Sequence, residues 1–552
     1  MTTSTEHHIS KKNGTRVSRR EALKVAGAAT IALGTHSTSA AQEASPAPAT
    51  EGMSPSPIEG VPDAYWQYPE PFTSVETTPG TGGRFSVLLS NDKQVNDRDD
   101  NRFWQELENR LGVTLDFTFL PGSAYAAKMA TTFASGDFPD LMNVYTLLYP
   151  QVSEYTVQGA FLDVTDYLDD AGRAAFPNLQ RFPGYAFENS KLNGRLFGVP
   201  NPTSLQPNAL WYREDWRANL GVPIPTDAAS FQAMIEQFTT GDPDGNGSTD
   251  TYGNASDSVN PFETRFVHAM FRVPAEGDGF GFSIMPDGSF VNEIETPEFR
   301  AALEYMREMW ASEAMHPDSL TDTSADIRNK FMGSRVGSIS NAFILLGYMR
   351  AELAKVVPTG QVMGLVPPPH DGTGGPVTYN IAGYFGQWCI PSATAGDDAK
   401  VEELLRITDY FAAPFGSEEY IFLNFGIEGE HHTLNDDGSR TLTEAGEREV
   451  FSLSLGGLNV LYAPDREQIV YAQQLMAEQT AFGVTDPTFN LYSPTAAAMK
   501  GPFQQMYFDN KIAIGSGRES MDMLDSWIAD WRSRGGDQIL AEYQEAYEQA
   551  QS

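Results

Sequence analysis

The sequence predicts an α/β protein with two lobes, between which the chain crosses more than once. Residues 84–144 alternate short apolar strands with amphipathic helices, the pattern of a parallel sheet covered by helices. The middle and the C-terminal third are richer in helix, so blocks of different type follow one another. A chain of 552 residues is also too long for one compact core, which favours two or more domains.

The first block, from Arg84 to Val144, contains three predicted strands and two predicted helices. FSVLLS is a short apolar strand, NRFWQELENRLG has helical spacing and stops at Gly112, and VTLDFTFL alternates as a strand. Ser123 can cap a second helix, Gly136 ends that helix, and DLMNV forms the third strand. This close alternation of strands and helices requires parallel pairing with right-handed crossovers.

The later blocks are mostly helical. Their strand candidates are the segments GSRVGSIS and QVMGLVPP, and no internal repeat is visible. Helices are predicted at 228–238, 297–311, 398–412, 417–424, 465–480, 517–533 and 537–551. The alternation of α/β and helical blocks predicts two lobes rather than a string of repeats.

The first 41 residues have the features of an export signal. Ser18-Arg19-Arg20 begins an S-R-R-x-x-L-K pattern that resembles a twin-arginine signal, and small residues predict cleavage near Ala40 or Ala41. The stretch is too short to span a membrane, and no lipobox cysteine stands at the cleavage site. Residues 42–82, rich in Pro, Ser and Ala, predict a disordered linker. The mature protein is therefore expected outside the cytoplasmic membrane, where chemistry that needs ATP or NAD is disfavoured.

The charge and the cysteine content exclude several classes of partner and site. The formal net charge is -36, which repels nucleic acid and anionic lipid. Adaptation to salt is an equally good explanation of this acidity. The single cysteine, Cys389, lies in the apolar segment GQWCIP and is expected to be a buried structural thiol, and it allows no intrachain disulfide.

Four segments occur in an order that is hard to obtain by chance: KMATTFASGDFPDLMNV, NGRLFGVP with LWYREDWRANLG, PTDAASFQAMIEQFT and NFGIEGEHHTLNDDG. Together they resemble the extracellular solute-binding proteins of ABC importers, in particular the large oligosaccharide-binding branch that includes alginate-binding proteins. The likeness covers nearly all of residues 84–550. It implies a two-lobe periplasmic-binding-protein-like fold whose hinge lets the lobes close around a ligand and deliver it to a membrane permease.

This resemblance also implies a division of the chain. Residues 83–207 and 383–455 are expected in lobe 1, residues 208–382 in lobe 2, and the helical part 456–552 mainly in lobe 2. The expected partners are an oligosaccharide or similar polar solute and the transmembrane subunits of an ABC permease. The protein is expected to be a monomer, not inserted in the membrane, and not an enzyme.

The stretch GDPDGNGSTDTYG has the ligand spacing of a calcium loop. Counted from Asp242, oxygen-bearing residues stand at positions 1, 3, 5, 7 and 9, and a glycine stands at 6 for the turn. Position 12 is Gly253 instead of the bidentate glutamate, so the loop is half an EF-hand and resembles the calcium loop of the alginate-binding branch. A structural Ca²⁺ is expected, and an ion-free polar turn is the alternative. The candidate metal ligands are Asp242, Asp244, Asn246, Ser248 and Asp250.

A sugar site needs flat apolar faces to stack on pyranose rings and polar groups to bind hydroxyls. In a two-lobed binder we expect these groups at the carboxyl ends of strands and near the hinge. Arg213 and Arg265 are candidates for a carboxylate on an acidic sugar, while core packing is the alternative for each aromatic residue. The full set of candidates is Asn143, Tyr145, Trp211, Tyr212, Arg213, Arg265, Asn341, Tyr379, Tyr384, Trp388 and Glu428.

Two other functions are weighed against a binding protein. An exported carbohydrate-active enzyme, a glycosidase or lyase, would fit the export signal, but the chain has no H-E-x-x-H or G-x-S-x-G motif. His431 and His432 are adjacent in a turn, which more often reflects packing than metal binding. A surface-layer protein would have repeats and more strand, and the sequence indicates neither.

Overall fold

The computed structural model describes residues 52–145, 151–435, 438–456 and 459–551. The predicted export signal and its cleavage site near Ala40 or Ala41 lie outside these residues, as does the first part of the predicted linker.

The larger sheet, here called the N-terminal sheet, has five strands. The predicted parallel pairing is confirmed, because Arg84–Ser90 pairs in parallel with both Thr114–Leu120 and Leu141–Val144. The other two strands come from later in the chain and run antiparallel to their neighbours. The order across the sheet is Thr114–Leu120, Arg84–Ser90, Leu141–Val144, Tyr384–Cys389 and Val199–Pro202.

The two helices between these strands end where glycine permits a left-handed residue. The helix Arg102–Leu111 ends at Gly112 and the helix Gly122–Ser135 ends at Gly136, with φ of 69° and 71°. The prediction that Ser123 caps the second helix is wrong, since that helix already begins at Gly122. Its first N–H donates 2.8 Å to Oδ1 of Asp92, so a side chain from the loop after the strand Arg84–Ser90 replaces the local cap.

The smaller sheet, here called the middle sheet, has three antiparallel strands. Its central strand Asn208–Arg213 lies between Ser338–Ala342 and Val362–Leu365. Alternate side chains of this central strand enter two different hydrophobic clusters, so both of its faces are covered.

The predicted helices of the later blocks are confirmed within two residues, with one exception. The helix predicted at 517–533 extends only from Met523 to Trp531, and a long helix from Pro494 to Gly515 precedes it unpredicted. The remaining helices are Gln151–Val157, Thr165–Leu168, Gly184–Ser190, Glu214–Leu220, Ala228–Thr240, Thr264–Phe271, Pro297–Ala311, Ser324–Met332, Leu346–Val356, Asp398–Phe411, Glu418–Phe425, Glu444–Glu449, Arg466–Thr480 and Asp537–Gln551.

Short strands complete the fold. Met53–Ser54, Ala64–Tyr65 and Leu461–Tyr462 form a small sheet, which joins the start of the described chain to its last quarter. The other short pairs are Phe282–Ile284 with Phe290–Asn292, Thr378–Asn380 with Gly483–Thr485, and His432–Leu434 with Arg440–Leu442.

Two neighbouring segments connect the N-terminal sheet to the middle sheet. Residues 203–207 lead from one sheet to the other, and residues 379–383 lead back. The N–H of Thr203 donates 2.9 Å to the carbonyl of Gly383, and the N–H of Ile381 donates 3.1 Å to the carbonyl of Leu205. These two segments, here called the crossover segments, are therefore hydrogen-bonded to each other.

The buried apolar residues form four clusters. Two of them draw on residues 85–199 and 388–455. The other two draw on residues 209–365 and 461–543, together with Val61 and Ala64. Cys389 lies inside one of the first pair, where burial raises the pKa of its thiol, so the expectation of a buried cysteine is confirmed. Within the described ranges, no helix is long and apolar enough to cross a membrane.

Candidate functional site

A cavity of about 410 Å³ lies where the crossover segments meet the middle sheet. Its volume is within the range of about 300–1,000 Å³ that is usual for small-molecule sites. Its walls come from the crossover segments, from two strands of the middle sheet, and from three helices. Its polar lining residues are Gln206, Asn208, Asp257, Asn260, Arg265, Glu276, Ser324, Arg328, Ser340, Asn341, Thr378, Tyr379 and Gln479.

The crossover segments are fixed at the cavity by a buried glutamine. Nε2 of Gln206 donates 2.9 Å to the carbonyl of Tyr379 and 2.9 Å to Oδ1 of Asn380. Because Gln206 belongs to the first segment and the other two residues to the return, this side chain ties the floor of the cavity together. Phe266 and the ring of Tyr379 supply apolar lining beside these amides.

Glu263 stands behind the cavity wall and links three of its parts. It is fully buried, and its Oε1 accepts from the N–H of Ser340 at 3.0 Å and from Nδ2 of Asn254 at 3.4 Å. Its Oε2 accepts from Nδ2 of Asn260 at 3.2 Å. Oδ1 of Asn260 in turn accepts from the N–H of Arg265 at 3.1 Å. One carboxyl group therefore sets the positions of three lining residues.

The backbone at this glutamate is strained. Phe262 and Glu263 have φ of 59° and 54°, a left-handed conformation that non-glycine residues seldom adopt. Two such residues in succession are kept only when the surroundings fix them, and they occur preferentially at functional sites. Burial raises the pKa of Glu263 to about 7, because the charged form loses water without gaining a cation.

The charged groups of the cavity differ in their partners. Arg265 forms an ion pair with Glu276, with Nη2 2.7 Å from Oε1. Oδ1 of Asp257 accepts from the N–H groups of Val259 and Asn260, at 3.2 and 2.9 Å, and burial raises the pKa of Asp257. These contacts keep the loop 257–260 in a fixed shape at the rim.

Two amide groups of the lining are buried and incompletely bonded. Asn341 and Gln479 are each 5 % exposed. Within the described part of the chain, Nδ2 of Asn341 and Oε1 of Gln479 have no hydrogen-bond partner. Leaving such an atom unbonded costs about 1–3 kcal/mol, and a polar ligand in the cavity would supply the missing bonds.

Three of the eleven ligand candidates lie at this cavity. Arg265 is on the helix Thr264–Phe271, Asn341 is on a strand of the middle sheet, and Tyr379 is on the returning crossover segment. Distant parts of the sequence are thus brought to one place.

Trp211, Tyr212 and Arg213, which the sequence predicts as ligand residues, do not line this cavity. Trp211 is fully buried, and its Nε1 donates 2.9 Å to the carbonyl of Asn341. Tyr212 is buried in the cluster on the opposite face of the strand. Arg213 donates to Asp215 at 2.8 and 2.5 Å and is 1 % exposed. All three pack inside the fold because helices cover both faces of the middle sheet.

The other five candidates also lie away from the cavity lining. Asn143, Tyr384 and Trp388 are buried, and Asn143 and Trp388 are cross-strand partners in the N-terminal sheet. Tyr145 follows the strand and lies edge-on to Phe385, with ring centroids 5.3 Å apart. Glu428 is exposed in its turn. His431 and His432, which follow it, are buried, and Nε2 of His431 is 3.2 Å from Oε2 of Glu449.

The aspartate-rich loop is exposed and is held mainly by its own hydrogen bonds, with one ion pair from Asp250 to Arg335. Nδ2 of Asn246 donates to Oδ2 of Asp244 at 2.9 Å and to Oδ1 of Asp250 at 3.2 Å. The two oxygens of Asp242 accept from the N–H groups of Asn246 and Gly247, each at 3.0 Å. Burial and the carboxylates of Asp242 and Asp250 raise the pKa of Asp244. Two carboxylates therefore accept from the amide side chain of Asn246, and the third accepts from the backbone of the loop.

The donor types of this loop fit calcium, but the carboxylates are not gathered on one point. In the ranges that the structure describes, no three carboxylate, histidine or cysteine side chains are arranged to hold a metal ion. The N–H of Ser248 donates 2.7 Å to Oδ1 of Asn246, so the amide turns its oxygen away from Asp244 and Asp250. A cation at the centre would have to displace Nδ2 of Asn246.

The structure explains why position 12 of this loop is a glycine, Gly253. A Cβ on Gly253 would lie 2.0 Å from the carbonyl oxygen of Ile235, on the helix that enters the loop. The N–H of Gly253 also donates 2.9 Å to Oγ1 of Thr239. The chain returns against its own helix here, so no side chain fits where an EF-hand has its glutamate.

Several lining residues are not predicted by the sequence, among them Asp257, Arg328 and Gln479. They come from a loop and from two helices far apart in the chain, and no local pattern joins them. The sequence did predict Asn341, because this residue follows a predicted strand. Residues on a helix face have no comparable position in the sequence that would indicate a binding site.

No known protein family's sequence profile matches the chain. The polygalacturonan/rhamnogalacturonan-binding protein YtcQ of Bacillus subtilis (strain 168) is 22 % identical over 465 residues, which cover 82 % of this chain and 89 % of the relative. The fructooligosaccharide ABC transporter substrate-binding protein FusA of Streptococcus pneumoniae serotype 4 is 23 % identical over 227 residues, which cover 39 % of this chain and 41 % of the relative.

Solved structures resemble the chain over most of its length. An extracellular solute-binding protein from Bifidobacterium longum subsp. infantis superposes with a TM-score of 0.64 at 16 % identity, covering 87 % of this chain and all of the other. An EF-hand mutant of S. pneumoniae FusA in complex with fructo-nystose gives a TM-score of 0.60 at 15 % identity, covering 85 % of this chain and 99 % of the other. The resemblance to solute-binding proteins is confirmed, and the fold is that of the two-lobe extracellular solute-binding proteins.

Proposed function

We propose that the protein is the binding component of an ABC importer and that it captures an oligosaccharide. The observation that carries this proposal is the cavity at the crossover segments, which combines an aromatic ring with two buried amide groups that each have one atom without a hydrogen-bond partner in the described part of the chain. Sugars offer the complementary surface, since their rings have apolar faces and their hydroxyls both donate and accept hydrogen bonds. One relative is a polygalacturonan/rhamnogalacturonan-binding protein and another is a fructooligosaccharide ABC transporter substrate-binding protein, which supports binding rather than catalysis.

The proposed mechanism is closure of two lobes about the crossover segments. Lobe 1 would comprise residues 83–207 and 383–455, and lobe 2 would comprise residues 208–382 and most of 456–552. The separate hydrophobic clusters support this division, because each lobe then has its own core. A few residues at 203–207 and 379–383 would take up the rotation, as hinges commonly do.

The protein would be exported through the twin-arginine route, lose its signal near Ala40 or Ala41 and act as a monomer outside the membrane. It would hand its ligand to the transmembrane subunits of a permease.

We also propose a structural Ca²⁺ in the aspartate-rich loop. Asp242, Asp244, Asn246, Ser248 and Asp250 would hold the ion through oxygen atoms, the ligands that calcium prefers. The ion would offset the mutual repulsion of three carboxylates and fix the loop against the helix Ala228–Thr240. The EF-hand mentioned for the FusA structure supports this proposal.

Ligand-dependent melting tests the proposed function. The protein is screened with pools of neutral and acidic oligosaccharides, and a bound sugar is expected to raise the melting temperature. Asn341→Ala removes one unpaired donor of the cavity and is expected to weaken binding by about fivefold, since a hydrogen bond to a ligand contributes about 1 kcal/mol. Asn435→Ala, in a partly exposed hairpin, is the control.

A binding protein releases no reducing sugar from the ligand that it binds, so reducing ends are assayed in the same samples. The absence of a melting shift with every pool would contradict the proposal, and so would turnover of the bound sugar.

A further inference from the structure

The two arginines of the cavity are in different states of pairing. Arg265 is neutralised by Glu276 at 2.7 Å. Arg328 lies on the helix Ser324–Met332, lines the same cavity and is partly buried. Among the residues that the structure describes, it forms no ion pair or hydrogen bond. A guanidinium stays charged at every physiological pH and carries five donors, so Arg328 presents an unpaired charge to the cavity.

Asn341 adds a second unpaired donor whose orientation is fixed. Its Oδ1 accepts from the N–H of Ala342 at 2.9 Å. If the amide were flipped, Nδ2 would face the N–H of Ala342, and two donors would oppose each other. Oδ1 therefore keeps its position, and Nδ2 is the atom left without a partner among the described residues. The guanidinium of Arg328 and Nδ2 of Asn341 are both donors, so a ligand that binds them must supply acceptor atoms.

The cavity offers few free acceptors by comparison. Oε1 of Gln479 is buried without a protein partner within the described chain, and it suits a ligand hydroxyl. Asp257 accepts from its own loop through Oδ1 and forms no ion pair with Arg328. Gln479 can thus accept from a ligand hydroxyl, but no carboxylate among the described residues forms an ion pair with the guanidinium of Arg328.

Charge decides between a neutral and an acidic ligand. If a ligand covers the cavity, Arg328 loses water, and a buried charge without a partner is strongly unfavourable. A neutral sugar would leave this charge uncompensated, whereas a carboxylate matches the guanidinium with two parallel hydrogen bonds. The net charge of -36 disfavours anions at long range, so an acidic ligand requires such a local cation.

We propose that the ligand is an oligosaccharide that carries a carboxylate, as in a uronic acid unit, and that Arg328 binds this carboxylate. Asn341 donates to another oxygen of the ligand, and Gln479 accepts from a hydroxyl. This inference rests on the proposed function and narrows its substrate class. The sequence predicted Arg213 and Arg265 as the residues that bind a carboxylate, but each already forms an ion pair within the protein. We therefore assign this role to Arg328 instead.

The test compares acids with their methyl esters, which have the same sugar units but no charge. Calorimetry measures binding of trigalacturonate, trimannuronate and sialyllactose, each as the acid and as the ester. The first two probes place the carboxylate on a uronic acid and the third on a sialic acid, so the arms distinguish the two sources. At least one acid is expected to bind 10- to 100-fold more tightly than its ester, because charged hydrogen bonds contribute about 1.5–3 kcal/mol.

Two substitutions of Arg328 test whether this residue causes the preference for the acid over its ester. Arg328→Met keeps the apolar stem and is expected to remove the preference for the acid while changing the affinity for the ester less than about threefold. Arg328→Lys is expected to retain part of the preference, since the charge remains without the fork. Arg518→Met, at an exposed arginine outside the cavity, is the matched control. Because Arg328 has no partner in the described protein, these variants should fold normally.

The outcomes separate this inference from the proposed function. Equal binding of acid and ester, or neutral oligosaccharides binding while the acids do not, would overturn the acidic ligand and leave an oligosaccharide-binding protein. Equal loss of acid and ester binding in Arg328→Met would also overturn it. No binding of any acidic or neutral oligosaccharide would overturn both.

Discussion

The cavity wall and the aspartate-rich loop are both polar, but they are held in opposite ways. In the wall, Glu263 is fully buried and accepts hydrogen bonds from three segments of the chain. In the loop, Asp242, Asp244 and Asp250 bond mainly to Asn246 and to the neighbouring backbone. The fold therefore positions the polar groups of the wall, whereas the loop depends on its own charges.

This difference indicates which changes each region is sensitive to. A buried carboxyl group fixes its neighbours firmly, but the fold loses stability if that group is removed or charged. An exposed cluster of carboxylates adds little stability by itself and needs a counter-charge to become rigid. The wall should therefore respond to substitution and pH, and the loop should respond to cations.

The largest expected effect is that of Glu263→Ala. It leaves Ser340, Asn254 and Asn260 without their acceptor, and we expect the free energy of unfolding to fall by about 3 kcal/mol. Urea denaturation measures the change. Glu352→Ala, which removes the partly exposed partner of the exposed Lys355, should cost about 0.5 kcal/mol or less. A loss below about 1 kcal/mol for Glu263→Ala would show that the wall does not depend on this carboxyl group.

A second prediction concerns pH. Glu263 has a pKa of about 7 in the folded protein, whereas an unperturbed glutamate has a pKa of 4.5. The stability that this group contributes is thus complete below pH 4.5 and is lost as the pH rises through 7. Glu263→Gln cannot ionise, so its stability relative to the wild type should rise by about 2 kcal/mol from pH 5 to pH 8.

Comparing the two proteins at each pH cancels the contributions of other buried acids, such as Asp409 and Asp486, whose pKa values burial also raises. A difference between the proteins that stays constant with pH would contradict the prediction.

The third prediction addresses the loop. Calcium is expected to raise the melting temperature of the wild type by several degrees relative to EDTA, and Asp244→Ala should abolish this shift. Scanning fluorimetry measures it. Asp287→Ala, in an exposed turn, should keep the shift. A wild type that melts identically in calcium and EDTA would leave the loop an ion-free polar turn.

The smallest expected effect is that of Arg335→Ala. Nη1 of Arg335 is 2.7 Å from Oδ2 of Asp250, but both side chains are largely exposed. Its loss should change stability by no more than about 0.5 kcal/mol in EDTA. Calcium affinity should rise slightly, because Asp250 would lose a competing cation. Calcium titration by calorimetry distinguishes this rise from a loss of affinity, which would mean that Arg335 supports the site.

The sequence predicted what local patterns determine. Strand and helix order in residues 84–144 followed from periodicity, and Gly112 and Gly136 marked the helix ends. The helix Pro494–Gly515 was missed because it contains Pro502 and its apolar residues do not keep to one face. The remaining features depend on long-range packing, which local patterns do not reveal. The sequence around Trp211 does not show that its face of the middle sheet is covered. Nor does the sequence show that Arg328 and Gln479 line the same cavity.

The close approach of Gly253 to Ile235 limits how the aspartate-rich loop could be altered. A glutamate introduced at this position would collide with the backbone of the entering helix, so the missing ligand cannot be restored by a single substitution. A cation held there would have to complete its coordination with water. Its dissociation constant would then be of order 10⁻⁴–10⁻³ M, as in extracellular calcium modules. The ion would exchange readily and would be retained only where the surroundings of the cell supply it in abundance.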